Sequence, residues 1–183
     1  MFTNFSAGFG TVVLAGNALL LRFLTTAAYG IDGFAFALES LAGYYDGTGN
    51  RELRKRSLTM ALQWSLLATG TCLALLYWQA PFFVGLMTVH QPVIEHAIAY
   101  LPYLILLVAI AGFAYIYDGY FIGLARGDIL RNTMMIALGA GFLPWIMALY
   151  FSDSPVHILW WGMISFTALR GLTLFKASRA LAD

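Results

Sequence analysis

Charge is scarce in this chain. Its 183 residues carry ten basic and nine acidic side chains, 10% of the sequence, where an ordinary soluble domain has about 25%. So few charges cannot clothe a globular surface in water. The net charge of +1 comes without a clustered basic face, which excludes nucleic acid as a partner. Cysteine is down to one residue, Cys72, so no internal disulfide is possible and the thiol reads as an inert packing group. The N-terminus lacks a basic segment followed by a short apolar core and a small-residue cleavage site, so no cleavable signal peptide is read there.

Catalytic signatures are missing as well. No nucleophile, base and orienting acid occur at a recognisable spacing, and there is no His-Glu-x-x-His pair for zinc. Gly47-Thr-Gly49-Asn-Arg51 is glycine-rich but lacks the Gly-Lys-Ser/Thr ending of a phosphate-binding loop, and reads as a turn. His90, Glu95 and His96 have no matching ligand cluster elsewhere and read as an aqueous loop. An enzyme is the weaker class, and no cofactor or metal is expected.

What the chain has in quantity is apolar surface, at 61% hydrophobic residues. Crossing a bilayer takes about 20 apolar residues in a helix, and five such stretches occur, near 9–44, 57–78, 98–125, 130–151 and 156–176. The fold class is therefore an all-α integral membrane bundle of about five spans, in contact with lipid over much of its surface. The first stretch is too long for one straight crossing, and Gly30 and Gly33 inside it predict a bend or loosened turn. Pro81 to Val89 is apolar but too short to cross, which predicts an interfacial or re-entrant piece. Pro102 and Pro144 fall inside the third and fourth spans, where neighbouring helices can re-satisfy the freed carbonyls.

Basic residues set the expected orientation. Arg51, Arg54, Lys55 and Arg56 lie between spans one and two, Arg126 and Arg131 between three and four, and Lys176 and Arg179 at the end. The alternate connections carry Glu95 and Asp153 and no lysine or arginine. Positive charge stays inside, so the prediction is an N-terminus outside, a cytoplasmic C-terminus and a plasma (inner) membrane location. Trp78, Trp160 and Trp161 fall near predicted interfaces and read as an aromatic belt.

Against this frame the acids inside the apolar runs stand out. Asp32 in Ala28-Tyr-Gly-Ile-Asp32-Gly-Phe34 and Asp118 in Ala114-Tyr-Ile-Tyr-Asp118-Gly-Tyr120 share nearly one phrase, on spans that run in the same direction. Glu39 lies seven residues after Asp32, on the same helical face. An acid in a bilayer costs about 2.5–3.5 kcal/mol or more, so such residues are retained for a use. Carboxylates sharing a low-dielectric cavity can exchange protons or jointly bind a cation. Arg22 is deep in the first span and reads as half of an ion pair or, alternatively, as a substrate contact in the same cavity. Arg170 reads as snorkelling to headgroups or capping its helix. Tyr29, Phe34, Tyr115 and Tyr120 are candidate aromatic contacts for a cationic or flat ligand.

Three blocks carry a family resemblance. Leu14-Ala-Gly-Asn17-Ala-Leu-Leu-Leu21 with Tyr29-Gly-Ile-Asp32-Gly-Phe-Ala-Phe-Ala-Leu-Glu39-Ser-Leu-Ala-Gly43 resembles the eighth helix of the MATE (multidrug and toxin extrusion) transporters, in their DinF-like branch. Tyr117-Asp118-Gly-Tyr-Phe-Ile-Gly123-Leu-Ala-Arg126 with Leu130-Arg131-Asn132-Thr-Met134 is similar to the tenth helix and its following loop, and Arg170-Gly-Leu-Thr-Leu174 to the last helix. The resemblance implies the C-terminal lobe of a twelve-helix antiporter that exports organic cations, drugs or other xenobiotics in exchange for H+ or Na+. It also implies an N-terminal lobe, or another membrane chain, as partner. The segment Phe2 to Gly10 resembles the tail of the seventh helix. A membrane scaffold subunit and a flippase for lipid-linked substrates are the alternative readings.

Overall fold

The computed structural model describes residues 2–149 and 155–181. Asp153 and the end of the fourth predicted span lie outside them. The described residues form seven α-helices and a π-helical turn, with no strand among them: α1 (Phe2–Ala7), α2 (Thr11–Gly47), α3 (Arg51–Met87), α4 (Gln91–Gly123), α5 (Gly127–Ile136), the turn Ala137–Phe142, α6 (Leu143–Leu149) and α7 (Pro155–Ala180). Counting α5, the π turn and α6 as one, five helical stretches are long and apolar enough to cross a membrane. This is a multi-pass membrane protein.

Its centre is α4, the most buried helix, which packs on α2, α3, α5 and α7. The register of α2 against α4 is parallel: Gly16 meets His96, Ala35 meets Gly119, and Glu39 meets Gly123. Running down both chains together, these pairs place Asp32 and Asp118 at similar depth. Helix α3 returns in the opposite sense, with Leu58 and Leu62 against the Leu38–Phe121 core and Leu73 and Val84 against the Leu20–Leu104 core. Helix α7 is again parallel to α4, since His157 meets Tyr103 and Arg170 meets Asp118. Consequently Arg51, Arg54, Lys55, Arg56, Arg126, Arg131, Lys176 and Arg179 fall at one end of the bundle.

Three local expectations change. First, α2 passes through Gly30 and Gly33 as one helix of 37 residues, about 55 Å long at 1.5 Å per residue. Both glycines face open space, while Ile31, Ala35, Leu38 and Ala42 bury the opposite stripe against α4; that packing holds the helix through its weak residues. Second, the apolar piece expected from Pro81 is helical as far as Met87. It continues α3 beyond a kink at Gln79, whose φ of −117° and ψ of 21° leave the helical region two residues before Pro81, as expected where proline removes a donor and crowds the preceding turn. Third, His96 is not in a loop, because α4 begins at Gln91 and carries it in its second turn.

The fourth span holds its proline differently. Ahead of Pro144 the helix widens into the π turn Ala137–Phe142, in which the Leu143 N–H reaches the carbonyl of Leu138. A π turn is the commonest way to absorb one unpaired carbonyl inside a helix. Gly141 and Gly162 let this stretch and α7 approach closely, for an added Cβ at Gly141 would lie 3.0 Å from the Phe166 Cα.

Candidate functional site

Small residues bring the acids together. Asp118 and Gly119 are neighbours on α4, and a Cβ at Gly119 would lie 2.6 Å from the carbonyl oxygen of Ala35; at Gly123 it would overlap the backbone of Glu39. Only glycines spaced four apart allow this backbone-to-backbone approach. With α2 and α4 in near contact, Asp32, Glu39 and Asp118 open onto one cleft of about 120 Å³, whose other walls are Ala35, Phe36, Tyr115, Gly119 and Ile122. Three acids from two separate sequence blocks thus line one cleft.

Their electrostatic situations differ. Asp118 accepts two hydrogen bonds on Oδ1 from Arg170, at 2.8 Å from Nη2 and 3.2 Å from Nε, with both side chains largely shielded. Arg170 therefore does not snorkel or cap its helix: its guanidinium turns inward because an unpaired carboxylate at this depth costs more than ordering the pair. Asp32 and Glu39 form no ion pair among the described residues. Two of the three carboxylates thus have no ion-pair partner among the described residues.

The other predicted contacts scatter. Tyr115 lines the cleft beside Asp118. Phe34 faces the opposite side of α2, in a groove shared with Leu41, Arg56, Met60 and Trp64 of the α2–α3 pair. Tyr120 is 3% exposed and belongs to the core with Phe121 and Leu38. Tyr29 is 73% exposed and Arg22 is exposed too; neither reaches the cleft. The expected ion pair of Arg22 is absent among the described residues. Arg22, Tyr29 and Phe36, each seven residues apart, instead mark an open face of α2 that leads to the cleft on which Phe36 lies.

A second polar site was not foreseen. At the end opposite the basic loops, Asn17 is 2% exposed; its Nδ2 donates to Ser6 Oγ at 2.9 Å and its Oδ1 accepts from the Trp160 indole at 3.2 Å and pairs with His96 Nε2 at 3.3 Å. One amide ties α1, α2, α4 and α7. Trp160 is accordingly buried, at 0% exposure, and leaves the aromatic belt, whereas Trp78 and Trp161 are exposed as a belt requires. The signal for this node was present in Asn17, a polar residue inside an apolar run, which nothing else in the sequence explains.

A five-span bundle with paired parallel helices and acids at their contact narrows the family. The MatE family model matches residues 1–147. The chain belongs to the MatE family. Over 177 residues it is 32% identical to DNA damage-inducible protein F of Escherichia coli (strain K12), an alignment that covers 94% of this chain and 37% of that protein. This MatE chain therefore spans little more than a third of the length of its curated relative. The resemblance carried by the Asp32 and Asp118 phrases is confirmed at the level of the family.

Proposed function

We propose that this chain forms the C-terminal lobe of a MATE-type antiporter exporting organic cations, drugs or other xenobiotics in exchange for H+ or Na+. The observation that carries this reading is the convergence of Asp32, Glu39 and Asp118 on one cleft with Arg170 as their single basic partner among the described residues. A carboxylate at membrane depth with no basic partner is stabilised by a bound proton or cation. Two such groups beside a third give a site whose occupancy can alternate between coupling ion and substrate. Tyr115 adds an aromatic wall suited to a cationic or flat ligand.

The open face through Arg22, Tyr29 and Phe36 supports a second lobe, or another membrane chain, seated against α2. A polar and charged stripe of this kind is costly against lipid. Alternating access would then move one lobe against the other around the cleft. The proposed location is the plasma (inner) membrane with the basic end cytoplasmic.

Export by the complete transporter in proteoliposomes tests this reading. Asp118→Asn and Asp32→Asn should each reduce export while leaving membrane insertion intact. Unchanged export in both variants removes the coupling role. A defined partner without substrate-dependent ion flux would instead identify a scaffold subunit.

A further inference from the structure

Asp118 is addressed from two sides. On one side it opens onto the cleft with Asp32 and Glu39; on the other, α7 presents Arg170, which does not line that cleft. The pairing is incomplete in a way that matters. A guanidinium fork that locks a carboxylate places parallel hydrogen bonds on both oxygens. Here Nε and Nη2 both fall on Oδ1, and Oδ2 accepts no hydrogen bond among the described residues. Arg170 is weakly anchored too: its Nη1 meets Met134 Sδ at 3.0 Å, and a thioether is a poor acceptor. Among the described residues the one strong partner of Arg170 is thus Asp118.

We propose that Arg170 is a tethered cation that occupies Asp118 in the empty site and competes with any cation entering the cleft. The proposal rests on reading the cleft as a cation site. A fixed positive charge beside Asp118 weakens binding of a positive ligand by direct repulsion and by engaging the carboxylate in advance. Arg170 is then a specificity-determining residue. It sets a threshold that keeps the acidic cleft from being held by the first monovalent ion to arrive, and it supplies the counter-charge when the ligand leaves. An arginine with only a structural role would act in the other direction, because its loss would loosen the site and weaken every ligand.

The sign of the affinity change separates the two. The 183-residue chain is purified in detergent micelles, its fold checked by circular dichroism, and tetraphenylphosphonium binding measured by equilibrium dialysis. Asp32→Asn and Glu39→Gln should weaken binding, which tests the cleft. Arg170→Gln should tighten it about tenfold, as loss of a nearby like charge does in a partly shielded site, and Arg170→Lys should stay within about twofold of the parent because the charge is kept. Should Arg170→Gln fail to fold, the double variant Asp118→Asn with Arg170→Gln removes both charges and should bind more tightly than Asp118→Asn alone, in which the unpaired Arg170 still repels the probe. Binding unchanged or weakened in Arg170→Gln, or a double variant that binds no more tightly than Asp118→Asn, overturns the tethered-cation role while the cleft reading stands. If Asp32→Asn and Glu39→Gln leave binding unchanged, or if neither the parent chain nor Arg170→Gln binds the probe, the cleft reading fails and this proposal with it.

Discussion

Gly119→Ala is the substitution for which the structure gives the clearest number. A methyl group there would sit 2.6 Å from the Ala35 carbonyl oxygen, 3.0 Å from its carbon and 3.1 Å from its Cβ, where ordinary contact begins at 3.4 Å. The two helices must part by about 0.8 Å at their closest point, or one must bend. Overpacking of this kind costs up to about 3 kcal/mol, and alanine's better helix propensity returns about 1 kcal/mol. The net loss is about 2 kcal/mol, which for a chain of this size lowers the melting temperature by about 4–8 °C. Gly30→Ala and Gly33→Ala serve as internal controls on the same helix pair. Nothing lies within 4 Å of a Cβ at either site, so they keep the propensity gain and should raise the midpoint by about 2–4 °C. Thermal unfolding in detergent, followed by circular dichroism, reads all three. A Gly119→Ala protein as stable as its parent, or controls that fall with it, would refute the close α2–α4 packing that assembles the acid cleft.

Further outcomes follow from other parts of the bundle. Asn17→Leu removes the acceptor of the Trp160 indole and the donor to Ser6, and should destabilise by about 1–3 kcal/mol with a blue-shifted tryptophan emission; an unshifted spectrum would deny the buried hydrogen bond. Pro144→Ala restores a backbone donor one residue after the π-bonded Leu143, so the turn Ala137–Phe142 should tighten toward α-helix, read as slower amide hydrogen exchange across 137–144. At Ala125 the φ of 54° is left-handed and costs an alanine about 1–2 kcal/mol; Ala125→Gly should raise the melting temperature, and a fall would show that the turn after α4 is held in another way.

Much of the architecture was readable because it is written locally. Five spans, their alternating directions and the common direction of the two that carry Asp32 and Asp118 followed from apolar length and the positions of lysine and arginine. Glu39 joined them through helical spacing alone. What sequence reading missed was each time a contact between distant positions. The Arg170 side chain has the same local surroundings whether it reaches headgroups or an acid 52 residues earlier, and only the α4–α7 register decides. Trp160 looks like a belt residue by its place near a helix end, yet Asn17, 143 residues away, supplies the acceptor that lets it be buried. Gly30 and Gly33 suggested a break because propensity weighs residues singly, whereas the buried stripe of α2 binds the whole helix to α4. Phe34 and Tyr120 sit in the same phrases as the acids but point elsewhere, since neighbours in a helix are about 100° apart.

Residue-resolved carbodiimide labelling tests the central claim most directly, for this reagent modifies protonated carboxyl groups held in apolar surroundings and mass spectrometry locates the adducts. In the complete transporter, Asp32 and Glu39 should be labelled in the empty protein and protected together on addition of tetraphenylphosphonium or sodium. Asp118 should label more readily once Arg170 is replaced by glutamine. Labelling of Asp32 and Glu39 that is indifferent to every cation would contradict the account, because the three acids would then share a cleft without sharing a ligand.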